Sequence, residues 1–195
     1  MRGRLIVVSG PSGAGKSTLI RAALDAVPLL GYSVSATTRA PREGEVDGRH
    51  YIFVSREDFE QWIDEGRFLE WAEYSGNLYG TPEGPVDEML DDGRSVILEI
   101  ELQGARLVRK KRPDAVMVFV RTPSIEETRR RLEGRATETS EALERRMATA
   151  IEEMEASGEF DHEVVNDKRN DARERFVGIL REIAQGGKDA ERPQD

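Results

Sequence analysis

The chain has 195 residues, of which 37% are hydrophobic and 34% charged, with a formal net charge of −9 and no cysteine. That length folds as one compact unit with a sizeable core, the absence of thiols excludes disulfides and thiolate metal sites, and the acidic balance argues against a nucleic-acid binder. No run reaches the length of a membrane span, and "MRGRLIVVSG" leads into a strand rather than a signal peptide, so the expected setting is the cytoplasm, away from membranes.

The first element is Leu5 to Val8, short and apolar throughout, as a parallel strand buried on both faces must be. Directly behind it stands "GPSGAGKST", where Gly10, Gly15, Lys16 and Ser17 fit the phosphate-loop spacing G-x-x-x-x-G-K-[ST]. Glycines let a backbone approach phosphate oxygens in conformations that a Cβ forbids. The N–H groups of Gly10, Pro11, Ser12, Gly13, Ala14, Gly15, Lys16, Ser17 and Thr18 (proline excepted, which has none) then face an anion together with the positive end of the following helix. Lys16 would reach the β and γ phosphates, and the Ser17 hydroxyl would ligate Mg²⁺. A glycine-rich turn that happens to carry a lysine is the bland alternative. The helix itself is expected from about Lys16 to Ala26, with Leu19, Ile20, Ala23, Leu24 and Val27 at helical spacing.

From Tyr32 to about Gly93 the rhythm changes. "SVSATTR", "HYIFVS" and "RFLEWAEYSG" read as short strands around a helix from Glu57 to Glu65, capped by Ser55 and ended by Gly66. The βαβ pattern then resumes: "SVILEIE" (95–101), a helix at 103–112, "AVMVFV" (115–120), helices at 124–133 and 140–157, "HEVVN" (162–166) and a last helix at 171–184. Such alternation predicts a parallel α/β sheet with helices on both faces, carrying a small α+β insertion and ending in a polar tail.

A nucleotide site leaves the acceptor open. A serine, sugar or water acceptor would need a side-chain base; a nucleoside monophosphate would not, because its phosphate is mostly dianionic at pH 7 with a second pKa near ~6. Its demand is for arginines that bring two polyanions together. The chain offers Arg39 and Arg42 in "TTRAPREGE", then "TRRRLEGR" (128–135) and "ERRMA" (144–148). Spacing places Arg131 and Arg135 on one helix face, at i and i+4, and singles out neither. Arg129 and Arg130 read as a solvated face, and Lys110, Lys111 and Arg112 as solvated cations closing a helix. Tyr51 and Tyr79 read as core aromatics on composition alone, and His50 and His162 have no metal or nucleophile constellation around them.

Taken together, the phosphate loop, "SVSATTRAPREGEVDGRHYIFVS", "FLEWAEYSGNLYGTP", "VILEIELQGA", "RRRLEGRATE" and "VVND" resemble the bacterial guanylate kinases over roughly residues 3 to 184. The resemblance implies MgATP + GMP → MgADP + GDP. It implies a P-loop NTPase core with a parallel sheet flanked by helices (3–33, 94–133 and 157–184), a GMP-binding insertion at 34–93, a helical lid at 134–156 and a flexible tail at 185–195. By the family's pattern Arg39 and Arg42 grip the GMP phosphate, with the hydroxyls of Tyr51 and Tyr79. Glu70 accepts hydrogen bonds from guanine N1–H and its exocyclic amine, and Ser35 and Thr81 meet the base's other polar atoms. Arg131, Arg135 and Arg146 converge with Lys16 on the transferring phosphoryl group, and Asn166 and Asp167 lie at the adenine pocket. The implied partners are ATP and GMP, with the chain acting as a monomer or homodimer.

Three stretches depart from the commonest pattern. Glu99-Ile100-Glu101 stands where Asp-Ile-Asp is frequent, which keeps the charge and lengthens the reach toward Mg²⁺ or GMP. Leu78 replaces a frequent tyrosine, and Ala136 replaces a frequent hinge glycine. Two other readings compete: a kinase for another monophosphate, which the trio Glu70, Ser35 and Thr81 argues against, and a non-catalytic protein-binding module, which would not need an intact phosphate loop.

Overall fold

The computed structural model describes residues 2–133 and 140–186. The strands β1 (Leu5–Ser9), β2 (Leu30–Tyr32), β7 (Ser95–Glu99), β8 (Val116–Arg121) and β9 (His162–Val165) form one sheet in the order β2-β7-β1-β8-β9. Every pairing in it is parallel. Alternate residues of these apolar strands feed opposite faces, which is why the runs show no polar face. Ile6, Val8, Ile97, Val118 and Val120 pack with residues of α1 (Lys16–Ala26) and α7 (Arg169–Ala184). Leu5, Val7, Val96, Leu98 and Met117 pack on the other side with α3 (Glu83–Asp91) and α4 (Leu102–Lys111). The expected parallel sheet with helices on both faces is the observed one.

A second sheet of four strands occupies the middle of the chain in the order β4-β3-β6-β5, from β3 (Ala36–Thr37), β4 (Ile52–Phe53), β5 (Phe68–Tyr74) and β6 (Asn77–Pro82). The hairpin between β5 and β6 turns through Ser75 and Gly76, with φ of 50° and 77°, the two positive values that a tight hairpin turn requires. Ala36, Phe59, Phe68 and Leu78 form a separate small core against α2 (Arg56–Asp64), with Phe59 and Phe68 stacked at 4.4 Å. Ser55 caps α2 by accepting from the Asp58 N–H, as its position before the helix predicts.

Three elements go beyond the sequence reading. Helix α3 carries Gly84 and Pro85 in its first turn, where proline is tolerated but masks the helical signal. Strand β2 is three residues long and includes Gly31, and β6 forms the return arm of a hairpin of which only the first arm is apparent from pattern. Of the cations closing α4, Lys110 is exposed as expected, whereas Lys111 and Arg112 are engaged. Lys111 Nζ donates to Glu83 at 2.6 Å and to the Phe68 carbonyl at 2.8 Å. Arg112 pairs with Glu83 at 2.9 Å and Asp87 at 2.7 Å. These contacts tie α4 to α3, and the Lys111–Phe68 bond ties it to the second sheet.

Removing the Phe59 ring takes away the one fully buried ring of the small core, so Phe59→Ala should cost about 3–5 kcal/mol. Chemical denaturation is expected to show a midpoint lowered accordingly; a loss under ~1 kcal/mol would mean that this cluster does not hold the second sheet together.

Candidate active site

The turn between β1 and α1 supplies the first half of the site. Gly10 has φ 136°, and a Cβ there would lie 1.9 Å from the Val120 carbonyl oxygen; Gly15, at φ 89°, leaves a Cβ only 2.4 Å from Asn166 Nδ2. Gly10 is set by backbone contact as well as by dihedral, and Gly15 by its dihedral, with the Asn166 amide packed where a Cβ would go. Lys16 Nζ donates to the Gly10 carbonyl and lies 3.4 Å from that of Pro11. The loop is braced from outside: Asn166 Nδ2 donates to the Ala14 carbonyl at 2.7 Å. Arg131 on α5 (Ile125–Glu133) in turn donates to the Asn166 carbonyl at 2.8 Å and to Glu127 at 2.7 Å. Arg146 on α6 (Ser140–Glu155) reaches Ser12 Oγ at 2.6 Å.

A cleft of about 620 Å³ runs from this loop to the second sheet, with Ser35, His50 and Tyr51 at its far side and Glu99 to Glu101 along its floor. Ser17 Oγ donates to Glu99 Oε1 at 2.9 Å, and the Tyr32 hydroxyl donates to Glu99 Oε2 at 3.3 Å. Burial and the facing Glu99 carboxylate both push the Tyr32 phenol well up. Among the described residues no group of three or more His, Cys, Asp or Glu is arranged to hold a metal ion. Hard oxygens at Ser17 and Glu99 instead suit Mg²⁺ that arrives already bound to phosphates.

Beyond Tyr51 lies a cationic corner. Arg39 packs over the Tyr51 ring at 5.4 Å and the Phe53 ring at 5.8 Å, and Tyr51 meets Tyr79 edge-on at 6.1 Å. The corner already contains an anion. Glu45 accepts from Arg39 Nη2 at 2.9 Å and from the Arg42 backbone N–H at 2.7 Å. The Arg39 hydrogen bond holds the Glu45 carboxyl below the usual carboxylate range, and Glu45 raises the arginine in turn. His50 Nδ1 accepts from the Val46 N–H at 2.9 Å, a loop-fastening role.

Glu70 sits deeper. In the β5–β6 ladder Phe68 pairs with Pro82 and Glu70 with Thr81, so Leu69 is an extra residue, a bulge in β5. The irregularity lets two consecutive side chains face one helix: Leu69 packs with Ala105 and Val108 of α4, while Glu70 Oε2 lies beside Gly104 of the same helix. Glu70 is only 9% exposed and accepts from the Thr81 hydroxyl at 2.6 Å. Burial pushes its carboxyl up, and the Thr81 hydrogen bonds pull the other way without cancelling the shift.

Two acidic residues were missed from the sequence. Glu45 stands three positions after Arg42, within reach of that residue's own N–H. Glu153 follows Met147 and Ala150 at helical spacing on the buried stripe of α6 and is itself 5% exposed. An acid on an apolar stripe is the signal that could have found it. It faces Glu101, the N-cap residue of α4, and lies near Lys16. Burial pushes the Glu153 carboxyl up to about 8, with Glu101 acting in the same direction and Lys16 against it.

The other residues singled out in the sequence make the following contacts. Asp167 pairs with Arg175 at 2.8 Å on the outer surface, away from the loop contacts of Asn166. The Arg42 side chain is exposed, with only its backbone engaging Glu45. Arg130 pairs with Glu127 at 2.7 Å and Arg129 with Glu144 at 3.1 Å, as a solvated face requires. Arg135 and Ala136 lie outside the described residues.

Comparison with known proteins covers almost the whole chain. The guanylate kinase family model matches residues 2–183. A guanylate kinase of Rubrobacter xylanophilus is 75% identical over 186 residues, covering 95% of this chain and 97% of its own. One from Synechocystis is 47% identical over 93% of this chain and 95% of its own. The crystal structure of guanylate kinase from Anaplasma phagocytophilum superposes with a TM-score of 0.72 at 31% identity, covering 97% of this chain and 88% of that one.

The proton held by Glu153 has a stability consequence. The folded carboxyl binds it more tightly than an ordinary carboxylate at 4.5 does, so the contribution is complete below that value and is lost as pH rises through about 8. The thermal midpoint should therefore fall from pH 6 to pH 9. Glu153→Gln, which keeps an N–H donor toward Glu101 without a titrating group, should flatten that slope. Identical slopes for both proteins would remove Glu153 as its source.

Proposed function

The chain belongs to the guanylate kinase family, and on that premise we propose how its residues carry out phosphoryl transfer from ATP to GMP. ATP lies along residues 10 to 18, with Lys16 leaving the Gly10 and Pro11 carbonyls for the β and γ phosphates. Ser17, with Glu99 beside it, would hold the Mg²⁺ of the incoming nucleotide, which would supply charge neutralisation on those oxygens. Asn166 serves this side by holding the Ala14 carbonyl and so the shape of the loop; Asp167 edges the adenine.

GMP docks on the second sheet, within the insertion at 34–93. Its phosphate goes to the corner of Arg39, Arg42, Tyr51 and Tyr79, and its base to Glu70, Thr81 and Ser35, with Glu101 at the cleft floor. Guanine offers two adjacent donors, N1–H and the exocyclic amine, and an ionised carboxylate accepts both in a charge-assisted pair. AMP would leave that carboxylate buried and unpaired, a strong basis for rejection. The observation that carries this reading is Glu70 itself, a carboxylate 9% exposed and aligned by a 2.6 Å bond from Thr81. The acceptor phosphate needs no base, being largely dianionic at neutral pH. Transfer is in line, without a covalent intermediate, as Arg131, Arg135 and Arg146 (the last two from the lid at 134–156) spread over the transferring group. The 2.6 Å reach of Arg146 to Ser12 supports its part, since Ser12 belongs to the loop that receives the phosphates.

The direct test offers GMP, AMP, CMP and UMP in parallel with MgATP and follows ADP. Turnover is expected with GMP alone; equal turnover with AMP would discard the guanine pocket and keep the kinase. Glu70→Gln should raise the GMP KM and erode the preference over AMP. Because burial raises the Glu70 pKa and only the ionised form accepts both donors, GMP affinity should weaken on acidification at a pH above the ordinary carboxylate range. Lys16→Ala should lower kcat by on the order of 10²–10³-fold while GMP binding, measured by calorimetry, is retained.

A further inference from the structure

Gly104 is a glycine in the first turn of a regular helix, α4, in the run "LQGARLVRKK". Its φ is not positive, so the backbone does not require glycine there, and alanine is the better helix former. Space is the remaining reason. A Cβ built on Gly104 lies 3.0 Å from Glu70 Oε2, 3.4 Å from Glu70 Cδ and 3.5 Å from Glu70 Cγ. The three nearest atoms all belong to one side chain. The other helical glycines Gly84 and Gly178 have nothing within 4 Å of that position.

Glu70 cannot easily retreat. Its backbone is fixed by the bulge and ladder of β5 and β6, and Thr81 holds its other oxygen at 2.6 Å. The carboxylate is thus clasped between a hydroxyl on one side and a bare stretch of helix on the other. That stretch is the first turn of α4, whose positive dipole end favours a carboxylate.

We propose that Gly104 is a positioning residue for nucleotide selection: by lacking a Cβ it sets the depth and tilt at which the Glu70 carboxylate lies. The inference rests on the reading of Glu70 as the group that receives guanine. A methyl at 104 pushes the carboxylate toward the base and breaks the parallel alignment that a two-point contact needs. Gly104 touches no substrate; it acts through Glu70 alone. Its effect therefore belongs in the GMP KM and in the choice between purines, with the ATP KM untouched.

The experiment is a double-mutant cycle on the full chain with Gly104→Ala, Glu70→Ala and both together, reading GMP and ATP KM values and thermal midpoints. Gly104→Ala is expected to raise the GMP KM by about tenfold or more, and in the Glu70→Ala background to change it by less than about twofold. In the same background alanine should raise the thermal midpoint, as its helix preference dictates, while with Glu70 present that gain is cancelled or reversed. If Gly104→Ala alone fails to fold, recovery of the folded state in the double variant supports the contact, and failure of the double variant overturns it. An unchanged GMP KM in Gly104→Ala, or equal effects in both backgrounds, also overturns it. If Glu70→Ala leaves the GMP KM unchanged, the guanine reading of Glu70 falls, and the midpoints still report separately whether Gly104 and Glu70 are coupled.

Discussion

Everything in this molecule is arranged around a turn of backbone that must stay bare. The loop between β1 and α1 spends one N–H internally, that of Ala14 donating to the Pro11 carbonyl at 3.1 Å, and a loop held by that bond alone would sample many shapes. Its stiffness comes from further contacts that use carbonyls and side chains. Gly10 lies against the Val120 carbonyl, Asn166 ties Ala14, Lys16 folds onto Gly10 and Pro11, and Arg146 reaches Ser12. The central place of β1 in the sheet, with β7 and β8 paired on either side, gives the turn a rigid base. The five-stranded sheet is, in this sense, a mount for nine residues of chain.

The second half of the site follows a different rule. There each carboxylate has its protonation set by its own surroundings, a cation in one case and burial in the others. Glu45 rests on Arg39 and stays charged. Glu70, with a hydroxyl for partner, is driven up by burial, and Glu153 opposes Glu101 and keeps its proton to a higher pH still. An ionised carboxylate without a cation is costly to bury; in the proposed function two donors from guanine would offset that cost, and selectivity would then arise from a deficit in the empty protein as much as from contacts in the complex.

The phosphate loop, the buried strands and the helices on both faces were legible in the sequence because each is written locally, in spacing or in uninterrupted apolar runs. Likeness to a family carried the rest: strand alternation puts Glu70 and Glu73 on opposite faces without saying which is buried, and the bulge at Leu69, which turns Glu70 toward the same helix as Leu69, leaves no local signal. The partnership of Glu153 with Glu101 was invisible for a related reason, since it joins residues on separate elements whose approach depends on how α6 packs. Lys111 and Arg112 misled in the opposite direction. At the end of a helix they look solvated, but α3 places Glu83 and Asp87 beside them, and α3 was itself hidden by Gly84 and Pro85. Local rules describe what a segment prefers; they are silent on what tertiary packing brings next to it.

The carboxylate of Glu45 in the cationic corner changes what it means for an anion to bind there. Arg39 never stands as a naked charge: it is neutralised, oriented and stacked on Tyr51 before any ligand arrives. If the corner receives the GMP phosphate as proposed, its entry would be an exchange, one anion displacing another, rather than an addition to an empty receptor. The net gain would be only the difference between two ionic contacts. An internal occupant of this kind would act as a threshold, crossed by a ligand that is anchored elsewhere as well, through its base.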